Sequence, residues 1–330
     1  MQSGRVKRRE FITLIGGAAT WPLAAHAQQP KMLMVGFLNS ASLEPNRKLV
    51  EAFVQSLSQN GYIEGKNIAI EYRWANGQYD RLPALAAELV QRQVAVIAAA
   101  APVAALAAQK ATTSIPIVFG LGSDPVKDGL VTSLGRPGGN ITGSTFFSNL
   151  LSAKRVGLLH QLVPDSKIFA TLLNPKNANI ELEKRDTQEA ARALGLELVV
   201  VQASTAKEID DSVASVFQQH ARALLVSGDA FLLNQSDQIA KLGMRYVLPT
   251  CFAFRESAAA GGLMSYGADR NDTWRQVGNY VARILKGEKP GELPVQQPTK
   301  FDFVINMQTA KALGVEVPVS LQLLADEVIE

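Results

Sequence analysis

Short apolar runs alternate with longer stretches of helical spacing along most of this chain. Met32–Leu38 reads as a strand buried on both faces, ending at Asn39-Ser40. Leu49, Phe53 and Leu57 recur at helical spacing, which predicts a helix over Arg47–Gln59 stopped by Asn60-Gly61. Ile68–Tyr72 alternates, as a strand nearer a sheet edge does. Leu82–Gln91 reads as an amphipathic helix, Val94–Ala98 as a strand, and Pro102–Ala111 as a helix opened by proline. Ile115–Phe119 is a further buried strand. Asp124-Pro125 then reads as a helix start with Asp124 as N-cap, and that helix is expected to end before the turn Gly135–Gly139. Asn140–Gly143 begins a new extended segment. Consecutive βα units of this kind require right-handed crossovers and a parallel sheet.

The pattern then restarts. Helices are predicted over Ala153–Leu162, Ile180–Leu194, Lys207–His220 and Leu232–Leu242, with strands at Lys167–Leu173, Leu196–Val201, Ala223–Val226, Tyr246–Pro249 and Gly262–Ser265. Trp274–Leu285 reads as a helix, Phe301–Asn306 as a strand and Thr309–Leu313 as a short helix. The segment from Ile115 and the segment from Val247 share a strand, a loop, a charged helix start and Gly-Leu, which supports two lobes of one build. The fold class is therefore α/β, with two Rossmann-like lobes on parallel sheets. A chain crossing between them three times would do so near Asn140–Phe147, Tyr266–Arg270 and Gln297–Phe303. One lobe would then hold 28–143 and about 268–297, the other 144–267 and about 298–330.

Charge changes the picture at the N-terminus. Arg5, Lys7, Arg8 and Arg9 precede the apolar Phe11–Leu23, which is too short to span a bilayer, and Ala25-His26-Ala27 offers small residues for cleavage before Gln28. Residues 1–27 read as a signal peptide. Arg8-Arg9 resembles a twin-arginine signal, while Lys7 keeps the Sec route open. These basic residues supply the net charge of +3, so the rest of the chain is near neutral and offers no basic patch for nucleic acid. Cys251 is the one cysteine, which leaves neither a disulfide framework nor a lipid anchor. It reads as a small buried hydrophobe. No later apolar run reaches transmembrane length.

Chemistry-bearing motifs are sparse. His160 and His220 fall in predicted helices at no metal-binding spacing, so no metal is expected. The loop after the first strand lacks GxGxxG, and Arg136–Gly143 lacks the lysine of a phosphate loop, so no cofactor is expected either. Ser204–Lys207 spells SxxK without its companion motifs. No enzymatic activity is expected.

Certain stretches, taken together, resemble the ABC-transporter substrate-binding protein family of the tryptophan/tyrosine-binding type. They are Pro116–Gly120, Arg136–Gly143, Lys154-Arg155, Ala223–Asp229, Gly261–Gly267, Ile284–Pro290, Phe301–Gly314 and Ala325–Glu330. The resemblance runs the length of the chain after the signal. It implies a type I periplasmic binding protein-like fold with a three-segment hinge, and a soluble periplasmic protein that delivers a small solute to a permease and an ATPase. A monomer without membrane insertion is implied. An exported α/β enzyme using the same cleft, or a sensor presenting ligand to a receptor, are the other readings.

Ligand in such a fold lies between the lobes, against strand C-termini and helix N-termini. Asp124 is placed to accept from an α-amino group, or to cap its own helix; both readings stand. Ala99–Ala101 supplies no side chain to cap the helix at Pro102, so its free N–H groups suit a carboxylate or water. Family members often carry glycine or a hydroxyl residue there. Phe119 and Ser123, with Asp124, would wall one side of the cleft. Asn39 and Ser40 would hydrogen-bond ligand or form a turn. Asn174, Asp229, Phe252 and Tyr266 end strands of the second lobe, the two aromatics placed to stack on an apolar ligand. An amino acid or related small carboxylate is the expected ligand.

Overall fold

The computed structural model describes residues 32–177, 179–298 and 300–330; the signal segment lies outside them. The first lobe is a five-stranded, wholly parallel sheet built from β1 (Leu33–Asn39), β2 (Ile68–Trp74), β3 (Val96–Ala100), β4 (Ile117–Leu121) and β5 (Ile141–Thr145), in the order β2-β1-β3-β4-β5. The alternating strand β2 is at the edge, as its pattern predicts. Helices α1 (Arg47–Gln59), α2 (Leu82–Gln91) and α3 (Pro102–Ala111) have the bounds read from the sequence.

Strand alternation sorts the two faces of this sheet. Leu38, Ile97, Ala99, Ile117 and Phe119 pack against α2 and α3, whereas Val35, Phe37, Ala98 and Val118 pack against α1 and a helix from much later in the chain. That later helix anchors through Trp274, whose ring centroid lies 5.0 Å from Phe37 and 5.8 Å from Phe53. Gly120 makes this possible, because a Cβ there would sit 2.9 Å from the indole. Gly143 is tighter still: its Cβ would lie 2.1 Å from the Phe119 carbonyl oxygen, so strands β4 and β5 approach only with glycine at that register.

The second lobe is a seven-stranded sheet. It contains β6 (Ile168–Leu173), β7 (Glu197–Gln202), β8 (Leu224–Val226), β9 (Thr250–Phe252), β10 (Met264–Ala268), β11 (Phe301–Asn306) and β12 (Glu327–Ile329). Their order is β12-β11-β10-β9-β8-β6-β7, parallel except between β10 and β11. The covering helices are α4 (Ser152–Leu162), α5 (Ile180–Ala193), α6 (Ala206–Gln218), α7 (Ala230–Asn234), α8 (Ser236–Arg245) and α9 (Arg255–Ala259). Next comes α10 (Arg270–Leu285), the Trp274 helix, which packs on the first sheet; α11 (Met307–Leu313) and α12 (Val319–Leu324) return to the second. Gln296 pairs with Ser144 at the free edge of β5, before β11 joins β10. The molecule is thus two α/β lobes with parallel sheets.

Three expectations about elements are overturned. No helix follows Asp124-Pro125. Residues 125–129 form turns, Gly129 takes φ +71°, and Leu130 and Val131 drop into the first-lobe core. The expected helix Leu232–Leu242 is two helices, α7 and α8, broken at Gln235. The expected strand Tyr246–Pro249 is a helix end instead: Val247 takes φ +51°, and the strand starts at Thr250.

Candidate functional site

The C-terminal ends of β1 to β5 in one sheet and of β6 to β10 in the other face a common seam, closed by side chains from both lobes; β11 and β12 run the opposite way. Ser42, beyond β1, donates from its N–H and its hydroxyl to Asn234 Oδ1 at 3.2 and 3.0 Å. The Tyr79 hydroxyl donates to Asp229 Oδ2 at 2.8 Å and accepts from the Phe231 N–H at 3.1 Å. Arg270, the first residue of α10, donates to Asn46 Oδ1 at 2.6 Å on its own lobe and to Glu256 Oε1 at 3.1 Å on the other. Its guanidinium lies 4.7 Å above the Phe254 ring, a cation–π contact.

The sequence-predicted residues divide sharply in this frame. Asn39 and Ser40 are fully buried at the seam. The Asn39 Oδ1 accepts from the Ala41 N–H at 2.8 Å in an Asx turn, but Asn39 Nδ2 and Ser40 Oγ have no partner among the described residues. Ala101 takes φ 78° and ψ 156°, a region almost confined to glycine, and no side chain caps the helix it precedes. Pro102 follows it, half-buried. Ser123 is buried and hydrogen-bonds through its hydroxyl to Asp128 Oδ2. Asp124 accepts from the Val126 and Lys127 N–H groups at 3.0 and 3.4 Å, the geometry of a cap on a single turn. Asp128 is the carboxylate that faces the second lobe: burial pushes its carboxyl up, while Ser123 and the Asn179 side chain oppose the shift.

Asp229 is completely engaged. Its Oδ1 accepts from the Phe231 and Leu232 N–H groups and from Asn174 Nδ2, at 2.9, 3.2 and 2.9 Å, and its Oδ2 takes Tyr79. Burial pushes the Asp229 carboxyl up, against these four hydrogen bonds. Asn174 closes its own turn through Lys176 N–H at 3.0 Å. Phe119 and Phe252 lie inside the lobe cores, with Phe252 against Gly262. The Tyr266 ring stacks on Phe301 at 6.3 Å.

The aromatic pair that does lie at the seam is Phe146, just past β5, and Phe254, just past β9; their rings meet edge to face at 6.1 Å. Tyr79, Phe146, Phe254, Glu256 and Arg270 carry no motif, so periodicity passes over them. The one available signal was position, since each sits within a few residues of a strand end or a helix start.

Beneath the seam runs a second buried network. Arg155 on α4 donates to the Ser148 carbonyl at 2.9 Å and to Ser152 Oγ at 3.1 Å, and lies 3.9 Å from Glu183 on α5. Glu183 accepts from the Ser227 hydroxyl at 2.6 Å. Burial pushes the Glu183 carboxyl up, opposed by Arg155 and by hydrogen bonds from Ser227 and the Gly228 backbone. This ties α4 and α5 to the loop that presents Asp229.

A groove of about 1330 Å³ also opens in the second lobe, lined by Phe217, His220, Tyr246, Val247 and Pro318. It lies at the N-terminal ends of β6, β8 and β9, the opposite end from where open α/β sheets bind ligands. No described helix is long and apolar enough to cross a membrane.

Known proteins resemble this chain in fold or in sequence. A conserved domain protein from Vibrio cholerae O1 biovar eltor superposes with a TM-score of 0.85 at 26% identity, over 90% of this chain and 100% of that one. An ABC domain from Streptococcus pneumonia, solved in complex with L-Trp, superposes with a TM-score of 0.83 at 23% identity, over 90% and 99%. The tyrosine-binding protein of Clostridioides difficile (strain R20291) is 26% identical over 269 residues, 82% of this chain and 77% of that protein. Residues 35–329 match the family described as ABC transporter substrate binding protein. With that match spanning both lobes and the seam between them, the chain belongs to the ABC transporter substrate binding protein family.

Proposed function

We propose that this protein captures an amino acid or a related small carboxylate between its lobes and delivers it to a permease driven by an ATPase. The observation that carries this reading is the set of buried polar atoms left without partners at the seam: Asn39 Nδ2, Ser40 Oγ, Arg270 Nε and Glu256 Oε2. Buried polar groups are hydrogen-bonded in folded proteins, and four orphans at one interface call for a polar guest. Donors and a carboxylate acceptor are both present, as a zwitterion requires. The tyrosine-binding relative and the L-Trp complex support an amino acid.

Residues 1–27 direct export to the periplasm, where the protein works as a soluble monomer. Closure turns on crossings near 140–147, 266–270 and 297–303, which separate a lobe of 28–143 and about 268–297 from one of 144–267 and about 298–330. The closed form is what the permease recognises. The test is thermal-shift screening of the protein lacking residues 1–27 against the twenty amino acids, small carboxylates and sugars. A concentration-dependent rise in Tm with an amino acid or carboxylate is expected; a response to sugars alone would sink the reading.

A further inference from the structure

Arg270 stands out among the residues of the seam. It is the first residue of α10, so the packing of Trp274 under Gly120 fixes where it starts. Its guanidinium is held on three sides, by Asn46, Glu256 and the face of Phe254, and its side chain is only 11% exposed. Nε is nonetheless buried without a partner, and so is Oε2 of the Glu256 that faces it. Asn46 is not an isolated contact. Its Nδ2 donates to the Ser42 carbonyl at 2.7 Å, so it belongs to the loop after β1 that carries the orphaned Asn39 amide and Ser40 hydroxyl. Alternation along β1 also puts Asn39 on the face of Phe37, the face that α10 covers. Asn46 and the loop it closes therefore bring together a preorganised arginine, two buried uncharged donors and one half-used carboxylate.

Asp229 contrasts with this. The N-terminus of α7 would suit an anion, but Asp229 caps it and Tyr79 fills the remaining carboxylate oxygen. The second lobe's candidate group at the seam is thus already paired, and the seam's unpaired charge-bearing atoms are Arg270 Nε and Glu256 Oε2; Arg155 Nε and Nη1 are also unpaired, but they lie beneath the seam in the network with Glu183.

We propose that Arg270 is the specificity-determining residue that reads the ligand's carboxylate. Its Nε–H donates together with Asn39 Nδ2 and Ser40 Oγ, and Glu256 Oε2 accepts from the ligand's ammonium. The assignment rests on the reading of function above. A planar, permanently charged fork suits a carboxylate, and a fork already immobilised loses little freedom on binding.

The test compares an amino acid with its own carboxamide, L-tyrosine against L-tyrosinamide, by calorimetry on the wild type, Arg270→Gln and Arg270→Lys. If tyrosine does not bind, the pair is built on whichever amino acid gives the largest thermal shift. The wild type should prefer the acid. Arg270→Gln should lose about 10- to 100-fold in affinity for the acid, the range for a hydrogen bond to a charged group, with little change for the amide. Arg270→Lys should fall between. Equal losses for acid and amide would mean that Arg270 only holds the lobes together, and would overturn the assignment while leaving the proposed function standing. A wild type that binds acid and amide equally would overturn it without recourse to any variant. A wild type that binds no amino acid would sink both.

Discussion

The phenolic oxygen of Tyr79 and the carboxylate of Asp229 meet at 2.8 Å across the seam, tying a loop of the first lobe to the N-terminus of α7 in the second. Burial, and then the neighbouring carboxylate, hold the Tyr79 hydroxyl far above the usual phenol range, so it stays protonated and donates at any working pH. The two lobes are therefore joined by a hydrogen bond that needs no ligand. Tyr79→Phe removes that bond while keeping the ring. A hydrogen bond to a charged group contributes about 1.5–3 kcal/mol, so the ligand-free protein should shift towards an open form by about tenfold or more. Small-angle scattering should show a larger radius of gyration for the variant. Identical scattering and identical ligand affinity would show that the contact does not bias closure.

The Arg155–Glu183 pair should behave as a unit. Both side chains are buried, so removing one strands the other in a low-dielectric interior. Arg155→Met is expected to cost about 3 kcal/mol or more in urea unfolding. Adding Glu183→Gln in the same chain should restore part of that loss, because the stranded charge is gone. Additive losses in this double-mutant cycle would mean that the two groups do not interact.

Cys251 should be chemically silent. It is fully buried beneath α4, and burial pushes its thiol up from 9.0 to about 12. Ellman's reagent at pH 8 should therefore detect nothing in the folded protein and one thiol per chain in denaturant. The sign of the pH dependence follows. A thiol whose folded value is raised contributes stability that is fully present below the unfolded value, near 9, and is lost as pH rises towards about 12. Between those limits the wild type should lose Tm more steeply than Cys251→Ala. Parallel curves would contradict the burial argument.

Ala101 carries strain. An alanine at φ 78°, ψ 156° occupies a region that costs an L-residue about 1–3 kcal/mol, against about 0.5–1 kcal/mol of extra chain entropy for glycine. Ala101→Gly should therefore stabilise the protein by about 1 kcal/mol, measured by urea unfolding. A destabilised variant would show that the alanine methyl contributes packing that outweighs its backbone strain.

The chain's hydrophobic periodicity determined most of the architecture. The parallel first lobe, the edge placement of β2, the bounds of α1 to α3 and the burial of Cys251 follow from local spacing and end signals, which act within a few residues. Local signals failed where a tertiary requirement competed with them. Asp124-Pro125 is a good helix start, but the chain turns at Gly129, with φ +71°, and Leu130 and Val131 enter the core from an irregular segment. Val247 has the look of a strand residue, yet it turns the chain at the end of α8.

The seam was less legible. Asn39, Ser40, Ala101, Asn174 and Asp229 were findable because each ends a strand or starts a helix. Which polar atoms are already paired was not, since that depends on residues far apart in the chain, such as Tyr79 with Asp229 or Asn46 with Arg270. The same limit hid Phe146 and Phe254, which look like any core aromatics until two lobes are placed against each other. Sequence fixes what each segment prefers over a few residues. Only the packed structure decides which polar groups remain unsatisfied, because satisfaction is a property of pairs.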